Sequence, residues 1–436
     1  MLNIKRLIGL LGFSGRGNGN FVANEDSILI SESSFFDREW YLSQYPHIRE
    51  SGVDPVYHYL HQGWLEMLDP SPSFSTEWYQ RNNPDVGRMG INPLLHFIRY
   101  GINDGLAPSP IAMLRRKSRV RELDVDELIR KFLNEIVDLP EAANDFNGGR
   151  VRGEWLRYFL NKAAISYEQG DFFNALTELT SAIQVYPDNE NSYVMCQYVF
   201  ERFNKKEIDE FVLNLTNARL IVAHISCRSR IDLAKKSVLS FQNSADDIRH
   251  LIVIGDPELQ KNKFTFESES MILKVPSSDS YEGLPSKIRN FFLFLGMTSL
   301  EVPVLKIDDN IHCKNISKLR EDLEEVVLKR DYGGFTVNAK PFSLYTHWHL
   351  RKCANSEINT TVDSLLYSAP FATGPSYWLG SEAINLISKI ALAHARHFET
   401  EIFEDRAVGE ALNVYGINPY HYSFADSGSL ESIEKF

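Results

Sequence analysis

Two patterns of apolar and polar positions divide the chain. Up to about residue 215, aromatic and aliphatic residues recur at helical spacing between polar positions. From about residue 218, compact apolar runs alternate with helical stretches such as 231–242. Four of these runs have the length of buried strands: 220–225, 250–255, 271–275 and 302–307. The alternation predicts an α/β fold with parallel strands, in which ligands bind at the C-terminal strand ends.

An internal duplication occupies residues 36–110, where two units repeat at an offset of 38 residues without a gap. Aromatic, proline, glycine and histidine positions recur at this offset, which indicates a true duplication. Each unit predicts two short helices. The expected boundary residues are Asp37 or Ser75 before the first helix, Asp54-Pro55 or Asn92-Pro93 at the start of the second, and Gly63 or Gly101 at its end.

His58 and His96 occupy equivalent positions on the predicted second helices, beside aromatic residues. A repeated histidine of this kind is typical of a core or an interface, and we prefer that interpretation to a ligand site. The two units resemble short repeats that accompany glycosyltransferase domains in bacterial surface-polysaccharide proteins.

Residues 156–187 have the spacing of one tetratricopeptide repeat, with Gly170 at the turn between two helices. One such repeat cannot bury its own apolar face, so it must stack on flanking helices such as 122–138 and 191–214 or on a neighbouring domain. Binding of a protein partner through the helical repeats is an option that the residues do not require. The predicted segments are an N-terminal segment 1–35, the repeats 36–110, a helical connector 111–215 and an α/β domain 216–436.

Composition and charge exclude several classes of protein. A formal net charge of −12 over 436 residues gives no basic footprint for nucleic acid. The four cysteines form no C-x-x-C pair, which argues against a disulfide framework and favours a reducing, cytoplasmic compartment. No apolar run is long enough to span a bilayer. At most we expect peripheral membrane contact, through Leu7–Phe13 or the basic stretch 115–121.

The main candidate chemistry lies at the end of the fourth predicted strand, in Asp308-Asp309-Asn310. Adjacent carboxylates are costly to bury without a cation. Mg²⁺ or Mn²⁺ would remove that cost, because both prefer oxygen ligands, and would also neutralise a sugar-nucleotide diphosphate. The alternative is a strand-ending turn in which an aspartate side chain caps the backbone.

Four elements in this order resemble the β-1,3-galactosyltransferase and fringe-like glycosyltransferases, a family with a GT-A fold. They are Asp279-Ser280-Tyr281-x-x-Leu284-x-x-Lys287, Lys306-x-Asp308-Asp309-Asn310, Gly374-x-x-Tyr377-x-Leu379 and Glu404-Asp405-x-x-Val408-Gly409. The resemblance covers residues 218–425, and it implies a GT-A domain behind an all-α repeat region. Asn310 stands where the family has a third aspartate, and an amide oxygen contributes no charge to a cation site.

The resemblance also implies inverting transfer of a hexose from a nucleotide sugar, UDP-linked by preference, to a glycan acceptor. Asp308 and Asn310 would face the metal and the donor, with Asp309 also on the donor side. His421 would be a late metal ligand, with a structural histidine as the alternative. Asp405 would be the general base, and Glu404 the fallback or a residue that orients the loop.

Further residues are candidates for the donor and acceptor sites. Arg228 and Arg230 follow the first strand, where guanidinium groups suit a phosphate, and Lys287 is placed to reach the diphosphate. Tyr377 and Trp378, together with Trp348 in a histidine-rich cluster, are candidates for stacking on a sugar of the acceptor. The alternatives are solvated surface charge for the basic residues and core packing for the aromatic ones.

Three functions compete at this stage. The first is an inverting glycosyltransferase that builds bacterial surface polysaccharide, such as capsule or O-antigen. The second is a noncatalytic glycan-binding or scaffold protein with a degenerate transferase domain, which Asn310 keeps open. The third is a metal-dependent hydrolase, which would need more acidic or histidine ligands than the strand ends offer.

Overall fold

The structure of the protein is a computed structural model. Its backbone contacts divide the chain into two units, Met1–Ala112 and Met113–Phe436. The structure describes residues 25–102, 106–109, 149–187, 189–215, 217–241, 247–298, 300–337, 343–344, 352–355, 365–366 and 369–433. The predictions made for Leu7–Phe13, for 115–121, for 122–138 and for Trp348 lie outside these residues.

The described residues of the first unit are all-α, and those of each repeat form three helices instead of the two predicted. After α1 (Glu25–Glu32), the first repeat contains α2 (Arg38–Gln44), α3 (Pro46–Ser51) and α4 (Pro55–His58), which continues as a π-helix over Tyr59–Gly63. The second contains α5 (Thr76–Asn82), α6 (Pro84–Arg88) and α7 (Pro93–His96), which continues as a π-helix over Phe97–Gly101. The extra helices begin at prolines, which fit the first helical turn because their missing N–H is not needed there.

Side-chain caps account for three of these helix starts. The side chain of Asp37 accepts a hydrogen bond from the N–H of Trp40, and Asp54 and Asn92 cap α4 and α7 as expected. Ser75 precedes the first residue of α5, as expected, but its side chain makes no capping hydrogen bond.

The repeated histidines join the aromatic core of the first unit. The hydroxyl of Tyr41 lies 3.0 Å from Nδ1 of His58, and the hydroxyl of Tyr79 lies 2.9 Å from Nδ1 of His96. Both tyrosines are fully buried. These equivalent contacts support the interpretation of the two histidines as packed core residues.

Four helices open the described part of the second unit: α8 (Gly149–Glu168), α9 (Phe172–Val185), α10 (Glu190–Phe203) and α11 (Lys205–Leu215). Gly170 makes the turn between α8 and α9 with φ of +75°, a conformation that favours glycine. The apolar face of these helices continues into the hydrophobic core of the sheet that follows. The described part of the predicted connector therefore packs as one body with the α/β region.

An eight-stranded, mostly parallel sheet forms the centre of the second unit. Its strands lie in the order β11 (Tyr420–His421), β7 (Tyr332–Val337), β10 (Phe371–Leu379), β5 (Val304–Asp308), β1 (Leu220–Ile225), β2 (Ile248–Gly255), β4 (Ile272–Val275) and β3 (Thr265–Glu267). The four predicted strands correspond to β1 (Leu220–Ile225), β2 (Ile248–Gly255), β4 (Ile272–Val275) and β5 (Val304–Asp308). They are parallel to one another, as predicted. The pattern did not predict β3 (Thr265–Glu267), β7 (Tyr332–Val337) or β10 (Phe371–Leu379), and β10 runs antiparallel to β5.

Helices cover both faces of this sheet. The remaining helices are α12 (Ile231–Ser240), α13 (Leu284–Met297), α14 (Ile316–Glu325), α15 (Ser381–Ala393), α16 (Ala395–Glu399), α17 (Glu404–Val414) and α18 (Phe424–Ser427). The remaining strands are β6 (Ile311–Cys313), β8 (Ser343–Leu344), β9 (Leu365–Leu366), β11 (Tyr420–His421) and β12 (Leu430–Ser432). In β1, Leu220 and Val222 pack on one face, while Ile221 and Ala223 pack on the other. Burial on both faces explains why the sequence of this strand is continuously apolar.

Candidate functional site

The acidic turn at the end of β5 sends its three side chains to different partners. Asp308 accepts a hydrogen bond from Lys306, 2.7 Å away. Asp309 faces the end of β1, where Ser226 donates to it and Arg230 makes a two-point ion pair. The amide nitrogen of Asn310 lies 3.4 Å from the hydroxyl of Ser432 on β12. The three residues that the sequence groups together therefore belong to three separate local environments.

Lys306 links the acidic turn to two distant segments. Its fully buried ammonium contacts Asp308, donates to Oε1 of Glu404 at 2.8 Å, and also donates to the backbone carbonyl of Gly374. Burial by itself lowers the pKa of the Lys306 ammonium, but Asp308 and Glu404 outweigh that effect and raise it above the ordinary value. Lys306 is therefore a permanent positive charge inside the site.

Glu404 begins α17 and lies inside the protein. One carboxylate oxygen contacts Lys306, and the other accepts a hydrogen bond of 2.9 Å from the hydroxyl of Tyr377. Burial raises the pKa of Glu404 to about 7, although Lys306 opposes this shift. The ammonium of Lys306 is one positive charge beside three carboxylates, those of Asp308, Glu404 and Asp405. It therefore cannot offset both the burial of Glu404 and the repulsion from its acidic neighbours, and the pKa of Glu404 rises. Because both oxygens are engaged and covered, Glu404 is suited to orienting its neighbours.

Asp405 is the more accessible carboxylate of the pair. It is part-exposed, whereas Glu404 is only 4% exposed. Oδ2 of Asp405 accepts the N–H of Gly374 at 2.8 Å, and Oδ1 accepts the N–H of Arg406. Burial raises the pKa of Asp405 against the opposing effect of these backbone bonds. A carboxylate that is fixed in place and more basic than usual has two of the properties of a general base.

A second cluster lies where β1, β2 and β4 end. Asp279 accepts hydrogen bonds from the backbone N–H groups of Arg228 and Gly255 and from the buried ammonium of Lys287. Lys287 also donates to the carbonyl of Ser226 at 2.7 Å. It holds two loops together from within, and its burial rules out the alternative of a solvated helix face. The guanidinium of Arg228 pairs with Asp256, 2.7 Å away.

Tyr377 and Trp378 are both fully buried. The hydroxyl of Tyr377 donates to Glu404, while the indole of Trp378 donates to the carbonyl of Arg330 and packs beside Phe424. Neither ring has a face open to a sugar, and this burial favours core packing over the expected acceptor contact. Trp348, the third acceptor candidate, lies outside the described residues.

His421 lies on β11, and the register of the sheet separates it from Lys306. His421 is opposite Gly334, Gly334 is opposite Tyr377, and Tyr377 is opposite Lys306. Three strand spacings amount to roughly 14 Å of backbone separation. Nδ1 of His421 is also bonded to Thr336. The structure does not bring His421 to the acidic turn in the way that it brings Glu404 and Asp405.

The side chains at the turn do not fit the expected Mn²⁺ or Mg²⁺. Arg230 engages both oxygens of Asp309, Lys306 engages Asp308, and Asn310 is 5% exposed and turned toward Ser432. Among the residues that the structure describes, no group of three or more His, Cys, Asp or Glu side chains is arranged to hold a metal ion. A divalent cation usually takes several oxygen ligands together, and this turn does not assemble such a set.

Sequence reasoning missed several residues that organise the site. Ser226 and Asp256 lie at the ends of β1 and β2, so the prediction of ligand binding at strand ends was a signal that could have identified them. The central position of Lys306 had no local signal, because its contacts with Gly374 and Glu404 cross 68 and 98 residues of chain.

A comparison with models of known protein families finds no match, and a comparison with curated proteins finds none either. Within the described part of the chain, no helix combines the length and the apolar character needed to cross a membrane.

Proposed function

We propose that the second unit is an inverting glycosyltransferase with a GT-A-like active site. It would transfer a hexose from a nucleotide sugar to a glycan acceptor of a bacterial surface polysaccharide. A UDP-sugar is the donor that we favour. The observation that carries this proposal is a continuous set of hydrogen bonds at the strand ends. It runs from Asp308 through Lys306 to Glu404 and the carbonyl of Gly374, whose N–H donates to Asp405.

The four resembling elements are widely separated in sequence, but they occupy two linked clusters in the fold. Lys306, Gly374, Glu404 and Asp405 form one cluster, and the Asp279–Lys287 element forms the other with the turn after β1. Arg230 belongs to that turn and pairs with Asp309, which joins the two clusters. This convergence supports a shared chemical role for the four elements.

The residues of the site divide into two roles. Arg228 and Arg230, at the end of β1, would hold the diphosphate of the donor. Asp405 would take the proton of the acceptor hydroxyl as its oxygen bonds to the anomeric carbon. The bond between that carbon and the diphosphate oxygen breaks, and the nucleoside diphosphate leaves. A single displacement from the opposite side inverts the anomeric configuration.

We also propose that this reaction takes place in the cytoplasm, with at most peripheral contact to the membrane. The four cysteines are all free thiols in the structure, which is compatible with a reducing compartment. The helical repeats of the first unit are candidates for holding a protein partner or the glycan acceptor.

The test is turnover by wild type and by Asp405→Asn with a panel of nucleotide sugars and glycan acceptors. Asparagine keeps an oxygen for the N–H of Gly374 but removes the base, so we expect kcat to fall by roughly 10²–10⁴, with donor affinity unchanged. Asp426→Asn, at an exposed position, is the matched control. Full turnover by Asp405→Asn would show that another group is the base. Absence of donor binding by wild type would contradict the transferase and favour a glycan-binding protein.

A further inference from the structure

The acidic turn suggests a cation site, but basic side chains already occupy its carboxylates and those of the neighbouring strand ends. Four of the carboxylates there each have a protein cation within 2.9 Å. The pairs are Arg228 with Asp256, Arg230 with Asp309, Lys287 with Asp279, and Lys306 with Asp308. Within the turn, Asp309 is paired with Arg230, and Asp308 shares the ammonium of Lys306 with Glu404.

In two of these pairs, the arginine side chain is more exposed to solvent than the carboxylate that it contacts. The side chain of Arg228 is 52% exposed and that of its partner Asp256 is 12% exposed. The side chain of Arg230 is 42% exposed and that of Asp309 is 8% exposed. The carboxylates therefore lie behind the guanidinium groups and fix their direction. A ligand that approaches the end of β1 meets two part-exposed arginines, of which Arg228 is held toward the end of β2 and Arg230 toward the end of β5.

The other two pairs do not present a positive charge to solvent. Lys287 and Lys306 are nearly inaccessible, at 3% and 1%, and they bond backbone carbonyls as well as carboxylates. Asp308 is 40% exposed, but it is a single outward carboxylate. Such a group can accept hydrogen bonds from the hydroxyl groups of a ribose or a sugar.

We propose that this site binds a nucleoside diphosphate group without a divalent cation, with Arg228 and Arg230 supplying the positive charge that a metal would otherwise bring. This inference rests on the proposed function and specifies how the donor is held. Guanidinium groups match phosphate oxygens through paired N–H donors. Because Asp256 and Asp309 hold them in place, they are preorganised for the negative charge that develops on the leaving diphosphate.

Calorimetric titration with UDP and with GDP, in EDTA and then in Mn²⁺, tests the proposal. We expect the Kd of the nucleotide that binds to be the same with and without metal within a factor of about 3. Loss of a charge-assisted hydrogen bond costs about 1.5–3 kcal/mol, so Arg228→Gln and Arg230→Gln should each weaken binding by roughly 10–100-fold. Lys235→Gln, an exposed charge on α12, is the control and should bind as wild type does.

Arg230→Gln leaves Asp309 buried without its cation and is expected to lower stability, so a second variant is needed. Arg230→Gln with Asp309→Asn removes both charges and keeps an acceptor for Ser226, and it should fold normally yet still bind weakly. Binding that falls tenfold or more in EDTA and returns with Mn²⁺ would overturn the proposal, as would wild-type affinity in the arginine variants. If neither nucleotide binds under any condition, the proposed function itself fails.

Discussion

At the scale of single residues, the site depends on a cation that is shared among unequal carboxylates. Lys306 contacts Asp308 and Glu404, and Asp405 lies close enough to raise the pKa of Glu404 further. Burial is the largest cause of that rise, which takes the pKa of Glu404 from 4.5 to about 7. In the unfolded chain the carboxyl returns to its ordinary pKa, so this residue makes the stability of the fold depend on pH.

The sign of that dependence follows from the direction of the shift. A raised carboxyl pKa favours the folded state while the group is protonated, and this contribution is lost as pH rises from about 4.5 through about 7. A shift of this size corresponds to roughly 2–4 kcal/mol. Glu404→Gln does not titrate, and we therefore expect it to gain stability relative to wild type between pH 5 and pH 8.

Urea unfolding at several pH values measures this difference, followed by the fluorescence of the buried Trp378. Glu382→Gln serves as the control, because it removes an exposed glutamate carboxyl on α15. A constant difference between Glu404→Gln and wild type across this range would contradict the assignment.

At the scale of elements, the repeats are shaped by a close approach between helices. Gly63 and Gly101 end the second predicted helix of each repeat, as expected, and each also lies against a buried tyrosine hydroxyl. A side chain at Gly63 would collide with the hydroxyl of Tyr41, and one at Gly101 with that of Tyr79. The glycines are therefore required for packing, in the same way in both copies.

Gly63→Ala should accordingly destabilise the first unit by about 1–3 kcal/mol, the usual cost of overpacking. Gly87→Ala is the control, because its added methyl group would have only the amide oxygen of Gln80 within 4 Å, at 3.9 Å. It should be neutral or stabilising by up to about 1 kcal/mol, since alanine favours helix. Thermal unfolding by circular dichroism compares the two variants, and equal effects would refute the packing argument.

At the scale of the whole molecule, the helices before β1 complete the core of the second unit. Phe211 of α11 lies 5.2 Å from Phe266 on β3 and 5.0 Å from Phe294 on α13, measured between ring centroids. Phe200 of α10 packs in the same way on Phe264. The tetratricopeptide-like pair thus finds the neighbours that a single repeat needs, partly in α10 and partly in α15.

This packing predicts which fragments of the chain fold. A fragment of residues 149–436 should unfold cooperatively, whereas residues 217–436 should aggregate or remain loosely packed, because removing the helices exposes the aromatic cluster. Phe211→Ala in the longer fragment should cost about 3–5 kcal/mol. Size-exclusion chromatography and near-ultraviolet circular dichroism distinguish these states, and a well-folded 217–436 would show that the helices are a separate domain.

The sequence by itself determined the features that depend on neighbouring residues along the chain. The four parallel strands follow from continuous apolar runs, and the start of α4 follows from the capping Asp54 and the proline after it. The duplication was visible because equivalent positions recur at one offset. The order of the four chemical elements was equally visible in the sequence.

Only the tertiary structure decided which side chains meet there. Arg230 and Asp309 are 79 residues apart, and Lys306 and Glu404 are 98 residues apart. A local pattern cannot specify such pairs, because the partner of a buried charge depends on which strand and helix ends the fold brings together. For the same reason, the sequence could not decide whether Trp378 stacks on a sugar or packs in the core. The sequence predicted a metal site at the acidic turn, whereas the structure shows Arg230 and Lys306 beside its carboxylates.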